Sequence, residues 1–145
     1  MASRRRSREL ALQALYQYEM GGTAPAVGVP MLAEHFEADM ADLPFARELA
    51  EGTVADLEEI DRLIEASSEN WSLSRMSRVD LAILRLAAFE LRRRPDIPAS
   101  VTINEAIELG KRYGAEETAP FLNGVLDRIA RQLGRDTRSP GRGGS

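Results

Sequence analysis

The chain has no cysteine, one histidine and, among nineteen basic residues, one lysine. Without cysteine there are no disulfides and no thiolate metal ligands, an absence that fits a reducing cytoplasm. With His35 the only imidazole and no thiol present, a nucleophile and its neighbouring base are hard to assemble. No Gly-rich stretch has the spacing of a phosphate-binding loop or a dinucleotide fingerprint. Neither catalytic residues nor a cofactor is expected. His35, Glu37 and Asp39 could in principle ligate a metal, but one loop-proximal histidine among carboxylates reads as a solvated surface, so no metal is expected. No apolar run approaches the ~20 residues of a membrane span, and none follows the arginine-rich start to form a signal peptide. These absences point to a soluble, cytoplasmic protein that is not an enzyme and has no membrane partner.

What is present is charge, and it is segregated. Residues 34–69 hold twelve acids against two bases, Arg47 and Arg62, a balance of −10 within a chain of net charge −4. The remainder is therefore net positive by 6. Arg4, Arg5, Arg6 and Arg8 all precede the first acid, Glu9, and Arg128, Arg131, Arg135, Arg138 and Arg142 crowd the other end. Local basic patches, rather than net charge, decide attraction to a polyanion. Arginine suits forked hydrogen bonds to phosphate and stacking on bases, although a GC-rich genome produces the same arginine bias.

Helix is the recurrent pattern, and no segment alternates with period two. Ala11, Ala14, Leu15 and Tyr18 form one stripe, widened by Leu12 and Tyr16 and ended by Gly21 and Gly22. A loop with Pro25, Gly28 and Pro30 is expected next, then a short helix over about 31–40. A long segment from Pro44 carries Ala46, Leu49, Ala50, Leu57, Ile60 and Ile64 on one face. The segment 74–93 is apolar almost all round, so it should be the central, buried helix. Ile103, Ala106, Ile107 and Gly110 mark another helix, and Leu122, Val125, Leu126, Ile129 and Leu133 the last, with Thr118 its expected N-cap. The architecture predicted is all-α, a compact bundle of six or seven helices over residues 1–134, with 135–145 a disordered tail.

Composition leaves the N-terminal arginines open between phosphate contact and a frayed, solvated end. Position alone favours core packing for Phe121 and a polar strip on the central helix for Asp80.

Three stretches carry more information when read together and in order. Residues 4–16 run from the arginine cluster to Tyr16, and residues 70–91 include Ile-Leu-Arg-Leu-Ala at 83–87. Residues 96–127 include Ile-Asn-Glu-Ala at 103–106 and Phe-Leu-Asn-Gly-Val-Leu-Asp at 121–127. This combination resembles the NusB family of bacterial transcription antitermination factors, over residues 4 to about 134. The resemblance implies two packed helical sub-bundles and binding of boxA-type single-stranded RNA. The implied protein partners are NusE, a small-subunit ribosomal protein, and the RNA polymerase antitermination complex that supports ribosomal RNA transcription. Some family members self-associate, so a homodimer is allowed.

The resemblance implies RNA contact for Arg4, Arg5, Arg6, Arg8 and Phe121, with Glu117 and Arg78 beside them, and a protein-partner face at Asp80 and Arg75. Trp71, Arg85 and Glu105 are assigned to structure. Arg85 has no acid at helical spacing, so Glu105 or Asp127 is expected to complete its ion pair. Two alternatives stay open. One is a helical protein–protein adaptor that does not touch RNA. The other is the N-terminal module of an rRNA methyltransferase, since this helical domain also occurs fused to such enzymes; the chain stops short of a cofactor-binding domain.

Overall fold

The computed structural model describes residues 3–69 and 72–138. Trp71, Arg142 and the end of the expected tail, 139–145, lie outside the described residues. Among the described residues there are seven α-helices, two 3-10 turns and no strand, the all-α class that periodicity predicts. The chain divides into two compact units, Met1–Leu57 and Glu58–Ser145.

The first unit holds α1 (Arg4–Gly21), α2 (Pro25–His35), a 3-10 turn (Met40–Asp42) and α3 (Leu43–Ala55). Each of the three helices packs on the other two. Ser3 caps α1 by accepting the Arg6 N–H at 3.2 Å, and the Ser7 hydroxyl donates to the Asp42 carbonyl at 2.8 Å. The helix closes on Gly22 at φ +78°, a left-handed conformation that only glycine adopts without strain. Leu10, Ala11, Leu12, Ala14 and Leu15 are buried, whereas Tyr16 stands 40 % exposed and does not widen the buried stripe.

Two readings of this unit need correction. The loop expected around Pro25, Gly28 and Pro30 is α2 itself, and the helix expected over 31–40 ends at His35. Pro25 sits where a missing N–H is harmless, at the first helical position. Pro30, inside the helix, forgoes its bond to the Ala26 carbonyl, but both residues are exposed and water can serve that acceptor. The single long segment from Pro44 is two helices, α3 and α4, interrupted at Asp56. No proline or glycine stands at the break.

The second unit holds α4 (Leu57–Ser67, its first residue belonging to the first unit), a 3-10 turn (Leu73–Arg75), α5 (Arg78–Arg93), α6 (Ala99–Tyr113) and α7 (Thr118–Gln132). Helix α5 packs on α6 and α7, and ten of its residues are buried, with Ile83 and Leu84 fully enclosed. The Ser77 hydroxyl caps it by accepting the Asp80 N–H at 3.0 Å, and Arg92 and Arg93 suit the negative end of its dipole. Helices α6 and α7 approach closely at Gly110, where a Cβ would meet Leu122 Cδ1 at 2.7 Å.

Arginine completes this unit. Arg85 forks onto Asp61 of α4, Nε to Oδ1 at 2.9 Å and Nη2 to Oδ2 at 3.0 Å. The acid expected from another helix is there in Asp61, which sequence spacing did not single out, and Asp127 pairs with Arg131 at 2.7 Å. Arg128 donates to the Ser67 carbonyl at 2.8 Å, and Gln132 to the Ser67 hydroxyl at 2.7 Å. Arg135 donates to the carbonyls of Leu91, at 2.6 Å, and Ile97. Ser67 and Leu91 lie in the last turns of α4 and α5, where carbonyls have no partner within the helix. The disorder expected from residue 135 does not hold for Arg135 itself, which is half-buried and fixed to two carbonyls.

Candidate nucleic-acid interface

In the first unit, the sequence sets three cations, Arg4, Arg5 and Arg6, in the first turn of α1 with no acid among them. That placement opposes the helix dipole, whose positive end lies there, and so destabilises the helix by a few tenths of a kcal/mol per charge. The same placement adds fixed cations to the positive end of the helix dipole, a combination that attracts phosphate.

The arginine side chains are braced by rings and acids. Arg4 and Arg8 both lie over the Phe45 ring, at 4.8 and 5.5 Å from its centroid, and Arg6 lies over Phe36 at 5.6 Å. Arg6 also reaches Glu9 at 3.3 Å. The Ser3 N–H donates to Asp42 Oδ1, tying the start of α1 to the turn before α3. Arg4 and Arg5 are exposed and Arg6 half-buried. Arg8 is only 4 % exposed, which removes it from the candidate RNA contacts and makes it a structural cation packed on Phe45. His35 ends α2, its ring meeting Phe36 edge-on at 4.8 Å, and the turn that follows holds Asp39, whose carboxylate accepts the Ala41 N–H. That bond is the first cause holding the Asp39 carboxyl below the ordinary carboxylate value. Among the described residues no group of three His, Asp or Glu side chains gathers to hold a metal.

In the second unit, the turn between α6 and α7 carries the other candidates. Thr118 does not cap α7. Its hydroxyl donates to Asp80 Oδ1 at 2.8 Å and accepts the Ala115 N–H at 3.0 Å, so the side chain is turned toward α5. Asp80, expected on a partner face, is half-buried and anchors this turn to the start of α5. The anchored turn presents Glu117, exposed, and one helical turn later Phe121, half-buried. Phe121 walls a cleft of about 250 Å³ together with Glu69, Gly124 and Arg128. Arg75 and Arg78 are both exposed ahead of and at the start of α5.

Comparison with known proteins decides what this arrangement belongs to. The NusB family profile matches residues 5–131. The chain belongs to the NusB family. A transcription antitermination protein NusB of Myxococcus xanthus is 52 % identical over 139 residues, covering 93 % of this chain and 99 % of that protein. The solved NusB of T. maritima superposes with a TM-score of 0.79 at 41 % identity, covering 91 % of this chain and 94 % of that one. A crystal structure of the antitermination factors NusB and NusE in complex with dsRNA superposes with a TM-score of 0.81 at 27 % identity, covering 89 % and 96 %. The NusB relatives carry the name of a transcription factor, not of an enzyme.

The sequence motifs of the family led to Arg4, Arg5, Arg6, Glu117 and Phe121, and the structure sets them at two solvent-facing places, one in each unit. Phe36 and Phe45 were missed. Their rings hold arginines about 30–41 positions away in the chain, and neither periodicity nor local spacing reports such a pairing. Arg128 was visible only as one of several C-terminal arginines. Its bond to the Ser67 carbonyl, made by an exposed residue, and its place beside Phe121 distinguish it from the rest.

Proposed function

We propose that this chain is an RNA-binding transcription antitermination factor that binds boxA-type single-stranded RNA together with NusE and, within the RNA polymerase antitermination complex in the cytoplasm, supports ribosomal RNA transcription. The observation that carries this reading is the solved family complex in which NusB stands with NusE and RNA. The chain's own residues fit that role. Exposed Arg4 and Arg5, with half-buried Arg6, supply phosphate contacts at the α1 N-terminus, where the helix dipole adds to their charge. Phe121 supplies a ring for an unpaired base, a form of recognition suited to single-stranded RNA. Glu117, beside it, limits which bases approach. Arg78 borders this RNA surface, and Arg75 meets the protein partner, while Asp80 acts on both through the turn it anchors. Among the described residues no helix is long and apolar enough to cross a membrane, consistent with work on nascent RNA.

NusE contributes a second binding surface, so the pair should hold RNA more tightly than this chain alone by raising effective concentration. Titration of a labelled boxA-type RNA with the chain, with NusE and with both tests the reading. Tighter binding by the pair is expected. Binding of NusE without any RNA contribution from this chain would reduce it to a protein adaptor.

A further inference from the structure

We infer that the cleft beside Phe121 is a pocket for one unpaired guanine base, read by Arg128 and Glu69. This rests on the RNA-binding reading and goes beyond it by naming the base and the residues that select it. The cleft is about 250 Å³, just below the ~300–1,000 Å³ of sites for drug-sized ligands, a size suited to one planar base rather than a whole cofactor. Phe121 forms one wall and supplies the face on which a base stacks. The polar groups are of two kinds. Arg128 has only donors, and its orientation is fixed by the bond from Nη1 to the Ser67 carbonyl, which leaves Nη2 beside Gly124. Glu69 has only acceptors when ionised, and it lies on the segment that follows α4. Ser68 is buried with its hydroxyl turned to the Ile64 carbonyl, so the floor is closed without competing for the ligand.

A ligand satisfying both groups must offer a pair of acceptors to a guanidinium and a pair of donors to a carboxylate. Guanine does so, with O6 and N7 on one edge and N1–H and the N2 amine on the other. Adenine, cytosine and uracil each lack at least one of the two pairs. Gly124 keeps the entrance open. A Cβ there would touch only Arg128 Nη2, at 4.0 Å, so a longer side chain enters the cleft without disturbing α7.

The experiment titrates uridine oligomers of about twelve nucleotides, a single-strand site of ordinary size, bearing one central guanosine, inosine or adenosine. Inosine keeps O6, N7 and N1–H but lacks the N2 amine. Wild-type protein in low salt should bind in the order guanosine, inosine, adenosine, with a spread of roughly tenfold or more. Glu69→Gln should erase the difference between guanosine and inosine. Arg128→Gln should shrink the difference between inosine and adenosine to the part that Glu69 reads at N1–H. Gly124→Leu should abolish all discrimination while raising helix propensity, so its loss cannot be blamed on unfolding, and circular dichroism checks each variant. Equal affinity of wild type for the three oligomers, with RNA still bound, overturns the pocket and leaves the RNA-binding reading intact. Failure to bind these oligomers and boxA-type RNA with NusE overturns both. Variants that weaken all three oligomers by the same factor make Arg128 and Glu69 part of the general charge field and reject their role in selection.

Discussion

The two units use arginine in opposite ways. In the first, Arg4, Arg6 and Arg8 lie over the faces of Phe36 and Phe45. In the second, Arg85, Arg128 and Arg135 spend N–H groups on Asp61 and on carbonyls at the ends of helices. A ring occupies the face of a guanidinium and leaves its N–H edge for another acceptor, whereas a carbonyl or carboxylate takes the edge itself. Arg4 and Arg6 are thus oriented and still able to bind phosphate, and the N–H groups that Arg85, Arg128 and Arg135 give to these acceptors close the fold. Burial separates them further, since Arg8 belongs to the first unit by position and to the fold by its 4 % exposure.

The largest expected effects lie in the core and mark the scale against which arginine changes are read. Leu84→Ala, at a fully buried position of α5, should destabilise by about 2–5 kcal/mol through lost packing and a residual cavity. Urea unfolding measures it, and a loss below about 0.5 kcal/mol would place α5 at a surface. Arg8→Ala should come next, at about 1–3 kcal/mol, because its stem and guanidinium are enclosed against Phe45. Arg135→Ala should lose about 1–2 kcal/mol by freeing the Leu91 and Ile97 carbonyls, reduced from the value for full burial because the side chain is half-exposed. Neither substitution should alter the salt dependence of RNA binding. A change in that dependence on losing Arg135 would erase the contrast between the two units.

How far the sequence reaches follows the same division between local and distant causes. Most helix positions were legible because apolar spacing records which face each segment buries, and α5, apolar nearly all round, was found as the central helix, whereas the prolines and glycine of α2 read as a loop. The break between α3 and α4 was not legible, since Asp56 carries no proline or glycine signal and the two stripes continue in phase across it. Arg85 was read as needing a distant acid, but the choice of Asp61, 24 positions away, depends on how α4 and α5 come together. Arg4, Arg5, Arg6 and Arg8 are indistinguishable by type and by family motif. Burial in the fold separates them, since Arg8 is enclosed while Arg4 and Arg5 face solvent.

The exposed arginines should act on binding and hardly on stability. Replacing both Arg4 and Arg5 with Ala should weaken boxA-type RNA binding roughly tenfold. Each lost phosphate contact should flatten the log–log salt dependence by ~0.7 on a single strand. Unfolding free energy should stay within about 0.5 kcal/mol of wild type, with some gain at the α1 N-terminus from removing charge that opposes the dipole. A salt series of RNA titrations separates this from a general loss of structure. An unchanged slope would make the N-terminal cluster a solvated end.

The smallest effect is the most discriminating, because it touches no charge. Phe36 is 43 % exposed, a large apolar surface that burial does not explain, and Arg6 stands over its face. Phe36→Leu keeps apolar bulk but removes the ring quadrupole that attracts the cation, an interaction worth about 0.5–1 kcal/mol at an exposed site. If the ring orients Arg6 for phosphate, RNA affinity should fall about two- to fivefold, in line with that energy. The salt slope should persist, since Arg6 remains charged and still meets its phosphate. Thermal stability should also persist, because an exposed ring contributes little packing to the unit. A steeper loss accompanied by a lower melting temperature would instead place Phe36 in the packing of the turn after α2. Wild-type affinity would show that Arg6 is aimed by Glu9 alone, through the 3.3 Å ion pair it already makes. The outcome decides whether the first unit orients its arginines with rings or merely stores rings beside them.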